Sequence, residues 1–275
     1  MVTKRDYNAE QVHAAKSVLL ELALALGEYR DKLVLVGGWA PVFLIPKPTK
    51  EHVGSIDVDL AVDHSQVTED AYATIEDILI RRGYERVEHN RFSFRKKVGH
   101  VVVQVDLLSG EYGGTGKRHR HQVIQETKLR KARGCDLVFD DPEWVRIEGE
   151  LPDGAKDSVR IQVASIGAFL CMKGHALAGR LKEKDAWDIV YCIREFPGGM
   201  DALARRLQPM MQHGLMREGL EKIAKHFASP GHRGPSHVAD FEMETDPEAR
   251  AAIQRDAYER VNYVLRKLGI LQNPA

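Results

Sequence analysis

The segment Ser55-Ile56-Asp57-Val58-Asp59-Leu60-Ala61-Val62 constrains the fold of this chain more than any other. Ile56, Val58, Leu60 and Val62 alternate with Asp57, Asp59 and Ala61. A period of two is that of a β-strand, whose successive side chains point to opposite faces. Both carboxylates therefore lie on one face, with Cβ atoms about 6–7 Å apart by strand rise. Like charges that close repel each other. A divalent cation would offset the repulsion, and oxygen-only ligation favours Mg²⁺ or Mn²⁺ over zinc. The plainer alternative is a strand that shows acids to solvent, and for an isolated Asp-x-Asp that alternative wins.

Three neighbouring features weigh against the plainer alternative. Residues 32–36 form a short apolar strand that ends at Gly37-Gly38, with a short helix expected over 39–45 before Pro46 and Pro48. Backbone amides at such a strand-to-helix break can cradle a phosphate, although a plain turn would read the same. Asp106 stands within the run Val103 to Leu108, where a buried acid is costly without a partner. A cation shared with Asp57 and Asp59 would be such a partner. Further on, residues 173–188, KGHALAGRLKEKDAWD, set Lys173, Arg180, Lys184, Asp185 and Asp188 beside apolar helix faces. The alternative for these is ordinary: solvated cations, and acids in the first turn of a helix.

Periodicity divides the chain into an α/β part and a helical part. Helices are expected over 9–29 and 68–82, and strands over 92–97 and 101–108 around a turn at Gly99. Short strands are expected at 136–139, 144–147 and 159–163. After residue 164 helices dominate, near 165–179, 183–195, 200–213, 215–227 and 247–268, with 229–237 expected as a linker or exposed loop. Two domains follow from this, 1–163 and 164–275. Trp39 and Trp187 are expected in the core.

Composition narrows the function classes. Lys plus Arg is 40 and Asp plus Glu is 40, so no overall charge drives the chain to nucleic acid or membrane. The balance hides a local excess of cations between Arg81 and Arg133, including Arg95, Lys96, Lys97, Lys117, Arg118 and Lys131. Such a surface could meet RNA phosphates or simply be solvated. No apolar run reaches the length of a membrane span, and residues 1–7 lack an apolar signal core, so a cytoplasmic protein is expected. Cys135, Cys171 and Cys192 give neither a disulfide framework nor zinc spacing. Residues 113–117, GGTGK, fall short of a P-loop, since Glu111 and Arg118 replace the required glycine and Ser or Thr. They are expected to form a mobile loop. His119 and His121 lack a third zinc ligand.

The order Gly37-Gly38, then Asp57-x-Asp59 on a strand, then Asp106 on a later strand resembles the polymerase-β-like nucleotidyltransferases. The pattern Lys173, Ala176, Leu177, Arg180, Lys184, Asp185 and Asp188 resembles their AbiEii-like branch, which includes toxins of bacterial toxin–antitoxin systems. Gly38 stands where Ser is frequent, and the gap from Gly38 to Asp57 is longer than in compact members. The resemblance implies an α+β fold: a mixed-sheet nucleotidyltransferase core, followed by a helical region that completes the active site. It also implies transfer of a nucleoside monophosphate from a nucleoside triphosphate to an acceptor hydroxyl. Asp57, Asp59 and Asp106 would be catalytic and hold Mg²⁺ or Mn²⁺. Gly37, Gly38, Lys173 and Asp185 would bind the nucleotide, with Asp185 or Asp188 as the functional acid. The acceptor would be RNA, tRNA-like, with an antitoxin protein as partner. Two other readings remain open at this point: an aminoglycoside-type transferase, suggested by GGWA with Thr49, Lys50 and His52, and a non-catalytic nucleotide-binding module.

Overall fold

The computed structural model describes residues 1–63, 69–88, 90–110, 130–180 and 182–272. The near-miss P-loop, His119 and His121 lie outside the described residues, as does much of the expected basic stretch. The chain forms two compact units. One comprises Tyr7–Phe43 and Gly54–Ser165; the other comprises Met1–Asp6, Leu44–Val53 and Ile166–Ala275. The change of character thus falls at Ser165/Ile166, and two early segments belong with the helices rather than with the sheet.

The first unit is a mixed sheet built on β1 (Leu33–Val36), β2 (Asp57–Val62), β3 (Glu85–Val87), β4 (Asn90–Val98), β5 (Val101–Ser109), β6 (Arg130–Lys131), β7 (Glu143–Glu150) and β8 (Lys156–Val163). The strands lie in the order β3-β4-β5-β2-β1-β8-β7, with β6 pairing at the end of β5. β1 is antiparallel to β2 and parallel to β8, and β2 is parallel to β5. All four residues of β1 are buried, as a central strand covered on both faces requires. The first helix, α1 (Ala9–Ala25), opens on Asn8, whose side chain accepts from the Gln11 amide. Its Leu19, Leu22 and the following Leu26 meet Leu33, Leu35 and Leu60 across the sheet. Because β-strand side chains alternate, Asp57 and Asp59 project from the other face, away from α1.

After the short α2 (Ala40–Leu44) and α3 (Glu69–Arg81) come the helices of the second unit. These are α4 (Ile166–Gly179), α5 (Glu183–Glu195), α6 (Gly199–Leu207), α7 (Gly214–His226), α8 (Arg233–Glu242) and α9 (Pro247–Lys267). α4 is apolar nearly all round, which is the pattern of a helix enclosed by others. It crosses α7 at backbone contact: a Cβ on Gly174 would lie 2.1 Å from the Gly219 carbonyl oxygen. α9 begins with Asp246 capping the Ala249 amide and Pro247 in the first turn.

The α+β architecture expected from the sequence is present, with three local corrections. Cys135–Phe139 is a 3₁₀ turn rather than a strand. Gly134 precedes it with φ +85°, and its apolar residues sink into the core as turn residues. The stretch expected as a linker over 229–237 runs directly into α8, because Gly234 and Pro235 are buried in its first turn, where Pro is tolerated. β7 is also longer than expected, since pairing with β8 extends it through Gly149 and Glu150.

Candidate active site

Strand register brings the acids of the first unit together. Asp59 on β2 lies directly opposite Asp106 on the parallel neighbour β5, and Asp57 lies opposite Gln104. In-register residues of adjacent strands share a face, so Asp57, Asp59, Gln104 and Asp106 form one polar patch. Asp106 is only 4% exposed, and the hydrogen bonds its burial demands are present. Gln104 Nε2 donates to both carboxylate oxygens, at 2.9 and 3.1 Å, and Ser93 Oγ on β4 donates to Oδ1. Asp57 accepts from Ser55 Oγ.

Gly37 and Gly38 form a 3₁₀ turn with Trp39 directly after β1. Gly37 has φ +68°, and a Cβ there would fall 2.0 Å from Asp59 Oδ2. Only glycine allows the turn to pass so close to the carboxylate. We expect Gly37→Ala to displace Asp59, lowering kcat/KM for transfer about 10²-fold or more at a stability cost of about 1–2 kcal/mol. Steady-state kinetics and urea unfolding of the same preparation check this; wild-type kinetics would show that the turn does not set the position of Asp59.

The donors of this patch are carboxylate oxygens, which suit a hard divalent cation. Among the described residues, however, no group of three or more His, Cys, Asp or Glu side chains converges as a finished metal cage. Asp57 is turned to Ser55, and Asp106 to Ser93 and Gln104. The residues fit the cation by type and by register. Reading the sequence missed Ser93, Gln104 and Ser55. Gln104 stands two residues before Asp106 on the same strand face, and Ser55 two residues before Asp57 in the segment that leads into β2; Ser93 becomes visible only through pairing.

The second unit holds a buried charged cluster. Lys173 Nζ on α4 lies 2.8 Å from Asp185 Oδ1 and 2.6 Å from Asp188 Oδ2, both on α5. Arg180 donates to Asp185 at 2.8 and 3.0 Å, and Lys184 to Asp188 at 2.8 and 3.1 Å. Lys173, Lys184, Asp185 and Asp188 are all buried, which sets aside the plainer alternative of solvated helix charges. Arg180 remains half-exposed. Burial pulls the Asp188 carboxyl upward, but Lys173 and Lys184 outweigh it and hold the group well below the usual range. Asp185 balances burial against Lys173 and Arg180 and settles at about 2. Burial opposes the charge on Lys173, and the two aspartates more than restore it. Trp187 is buried as expected, and so is Trp39 in the first unit.

His52 completes this cluster and was singled out in the sequence only for a different motif. Its Nε2 lies 3.0 Å from Asp188 Oδ1, and its ring packs on Trp187 and Tyr191. Burial, with Lys184 beside it, lowers the imidazole to about 4, against the opposing pull of Asp188. The ring is therefore neutral at pH 7 and donates Nε2–H to the carboxylate, which can only accept. The sign of the linkage follows. The unfolded chain binds a proton near the ordinary 6.5 and the folded chain only near 4, so stability falls as pH drops through this window. Between pH 7 and pH 5 we expect His52 to account for about 2 kcal/mol of lost stability. Urea unfolding of wild type and His52→Gln at both pH values measures it. Equal losses in the two proteins would show that His52 is not held neutral.

The sequence model of the family described as nucleotidyl transferase AbiEii toxin, type IV TA system, matches residues 18–261 of the 275. Comparison with curated proteins and with solved structures finds no match. The match runs from within α1 to within α9 and covers both the carboxylate patch and the charged cluster. No helix among the described residues is long and apolar enough to cross a membrane. This chain belongs to the AbiEii nucleotidyl transferase toxin family of type IV toxin–antitoxin systems.

Proposed function

We propose that this nucleotidyltransferase toxin acts as a divalent-metal-dependent enzyme that moves a nucleoside monophosphate from a nucleoside triphosphate to a hydroxyl of an RNA acceptor, tRNA-like in form. The observation that carries the metal-dependent reading is the register of Asp59 with Asp106, with Asp57 on the same face. Asp57, Asp59 and Asp106 would hold Mg²⁺ or Mn²⁺. The bound cation would supply Lewis-acid stabilisation to the attacking and leaving oxygens of an in-line displacement at the α-phosphorus. Asp106 would in addition take the proton of the acceptor hydroxyl, with Gln104 and Ser93 orienting its carboxylate. The amides of Gly37 and Gly38 would hold the terminal phosphates.

The same reading gives the charged cluster a nucleotide-binding part. Lys173 would set a compact positive charge against the triphosphate, with Asp185 fixing its direction and Asp188 sharing that task. Lys173, Lys184 and Arg180 bring three cations to this cluster, the residue type that a triphosphate would meet. An antitoxin partner and a cytoplasmic setting belong to this reading. RNA is favoured over a cationic drug by the exposed cations Arg95 and Lys97 on the strand next to Asp106.

The test is a transfer assay with purified protein, Mg²⁺ and each of four α-labelled triphosphates. Total bacterial RNA is offered as acceptor, with an aminoglycoside panel in parallel and a chelator control. Label in RNA that disappears with chelator is the expected result. Label in the drug alone would move the activity to the small-molecule class, and metal-independent transfer would remove the cation from the reading.

A further inference from the structure

We propose that the exposed face of the β7–β8 hairpin, built on Trp144, Arg146 and Arg160, binds a single-stranded segment of RNA. As a contact for the acceptor, it rests on the RNA reading above.

Trp144 is 42% exposed, whereas Trp39 and Trp187 are 2% and 3% exposed. Trp144 thus presents on the edge strand a ring that combines an apolar face with a polar N–H. The Arg160 guanidinium lies over that ring, 5.7 Å from its centroid. Directly opposite Arg160 across the strand pair stands Arg146, a second exposed cation. Like charges placed opposite each other destabilise a sheet, so this pair is a cost within the fold. Farther along the hairpin the pattern reverses, with Lys156 opposite Glu150. The two arginines that stand opposite each other are the cations nearest Trp144 on its face. Arg146 donates to Ser158 Oγ at 2.8 Å and pairs with Glu148 at 3.8 Å, both partners being exposed to solvent.

Register gives this patch its direction. Trp144 pairs with Gln162, Gln162 with Val34, and Val34 lies two residues from Val36, the partner of Asp59. Trp144, Arg146 and Arg160 thus project from the same sheet face as Asp57, Asp59 and Asp106. Three strand spacings and one two-residue step separate Trp144 from Asp59, about 15 Å. The turn Cys135–Phe139 packs against β1 and β5 and delivers the chain to β7, so the patch lies beyond that turn. A π-face flanked by two guanidinium groups is the chemistry of a base with its adjoining phosphates. An acidic protein segment would use the arginines but leave the ring without a stacking partner.

The experiment uses the full chain without triphosphate and a mixed-sequence single-stranded RNA of 12 nucleotides, with duplex DNA as the comparison. Trp144 is the exposed tryptophan, so RNA binding should quench and shift its fluorescence, and Trp144→Phe should abolish that change. Trp144→Ala should weaken RNA binding about tenfold or more. Arg146→Ala with Arg160→Ala should reduce the salt dependence by about 1.4 in log–log slope, the value for two phosphates on a single strand. RNA bound with wild-type affinity by all these variants, or no RNA binding at all, would overturn the proposal. RNA quenching Trp144 without label entering any RNA would leave this surface standing and remove the acceptor reading. Label entering RNA with unaltered efficiency in the variants would do the reverse.

Discussion

The Asp57→Ala, Asp59→Ala double variant should lose nucleotidyl transfer by about 10³-fold or more while remaining folded. The two parts of this expectation have separate causes. Loss of two oxygen ligands removes charge stabilisation of several kcal/mol from the transition state, at about 1.4 kcal/mol per factor of ten. Folding should survive because neither side chain belongs to the apolar core, which on β2 consists of Val58, Leu60, Ala61 and Val62. Removing two like charges from one strand face also relieves repulsion. The measurement is single-turnover label transfer, with urea unfolding of the same preparation. A variant with a wild-type urea midpoint and wild-type transfer would remove the carboxylate patch from the chemistry. Loss of both properties would show that the acids are structural.

Asp188→Ala should have the largest effect on stability, about 3–5 kcal/mol. In the wild type, Asp188 receives Lys173 at 2.6 Å, Lys184 at 2.8 Å and His52 at 3.0 Å. Lys173 is 7% exposed and Lys184 3%, so removal of the carboxylate strands positive charge out of reach of water. Leaving one member of a buried pair alone costs far more than the pair itself contributes. Asp188→Asn should lie between the two, because it keeps an acceptor oxygen and loses the charge. Adding Lys184→Met to Asp188→Ala should recover part of the loss, and the double-mutant cycle should return a coupling of about 1–3 kcal/mol. Additive effects, or a loss below about 1 kcal/mol for Asp188→Ala, would contradict the buried cluster. A slower loss of triphosphate affinity in Asp185→Asn than in Lys173→Ala would separate the orienting role from the contact.

Among these features, those written locally were legible in the residues themselves. The alternation of 55–62 fixes a strand and puts Asp57 and Asp59 on one side, because side-chain direction depends only on the residue's own backbone. The break at Gly37-Gly38 and the helix near 247–268 are equally local. The order of acids and glycines, with the pattern from Lys173 to Asp188, was enough to identify the family that the comparison then established.

What remained was decided by contacts between residues far apart in the chain. That Asp106 faces Asp59 follows from the parallel pairing of β2 with β5, which no periodicity encodes. Ser93 reaches Asp106 only because β4 lies on the other side of β5. The 3₁₀ turn at Cys135–Phe139 read as a strand because a short apolar run carries no period long enough to distinguish the two. The spacing of Lys173 and Asp185 pointed to a nucleotide-binding role through the family resemblance, but the burial of Lys173, Lys184, Asp185 and Asp188 was not legible, since a helical sequence with solvated ions and one with buried, paired ions can look the same. Packing of α4 and α5 with the His52 segment supplied the burial that separates these cases. Sequence alone determined the types and local directions of the groups; tertiary structure decided which groups meet, because strand pairing and ion pairing in a folded chain are non-local.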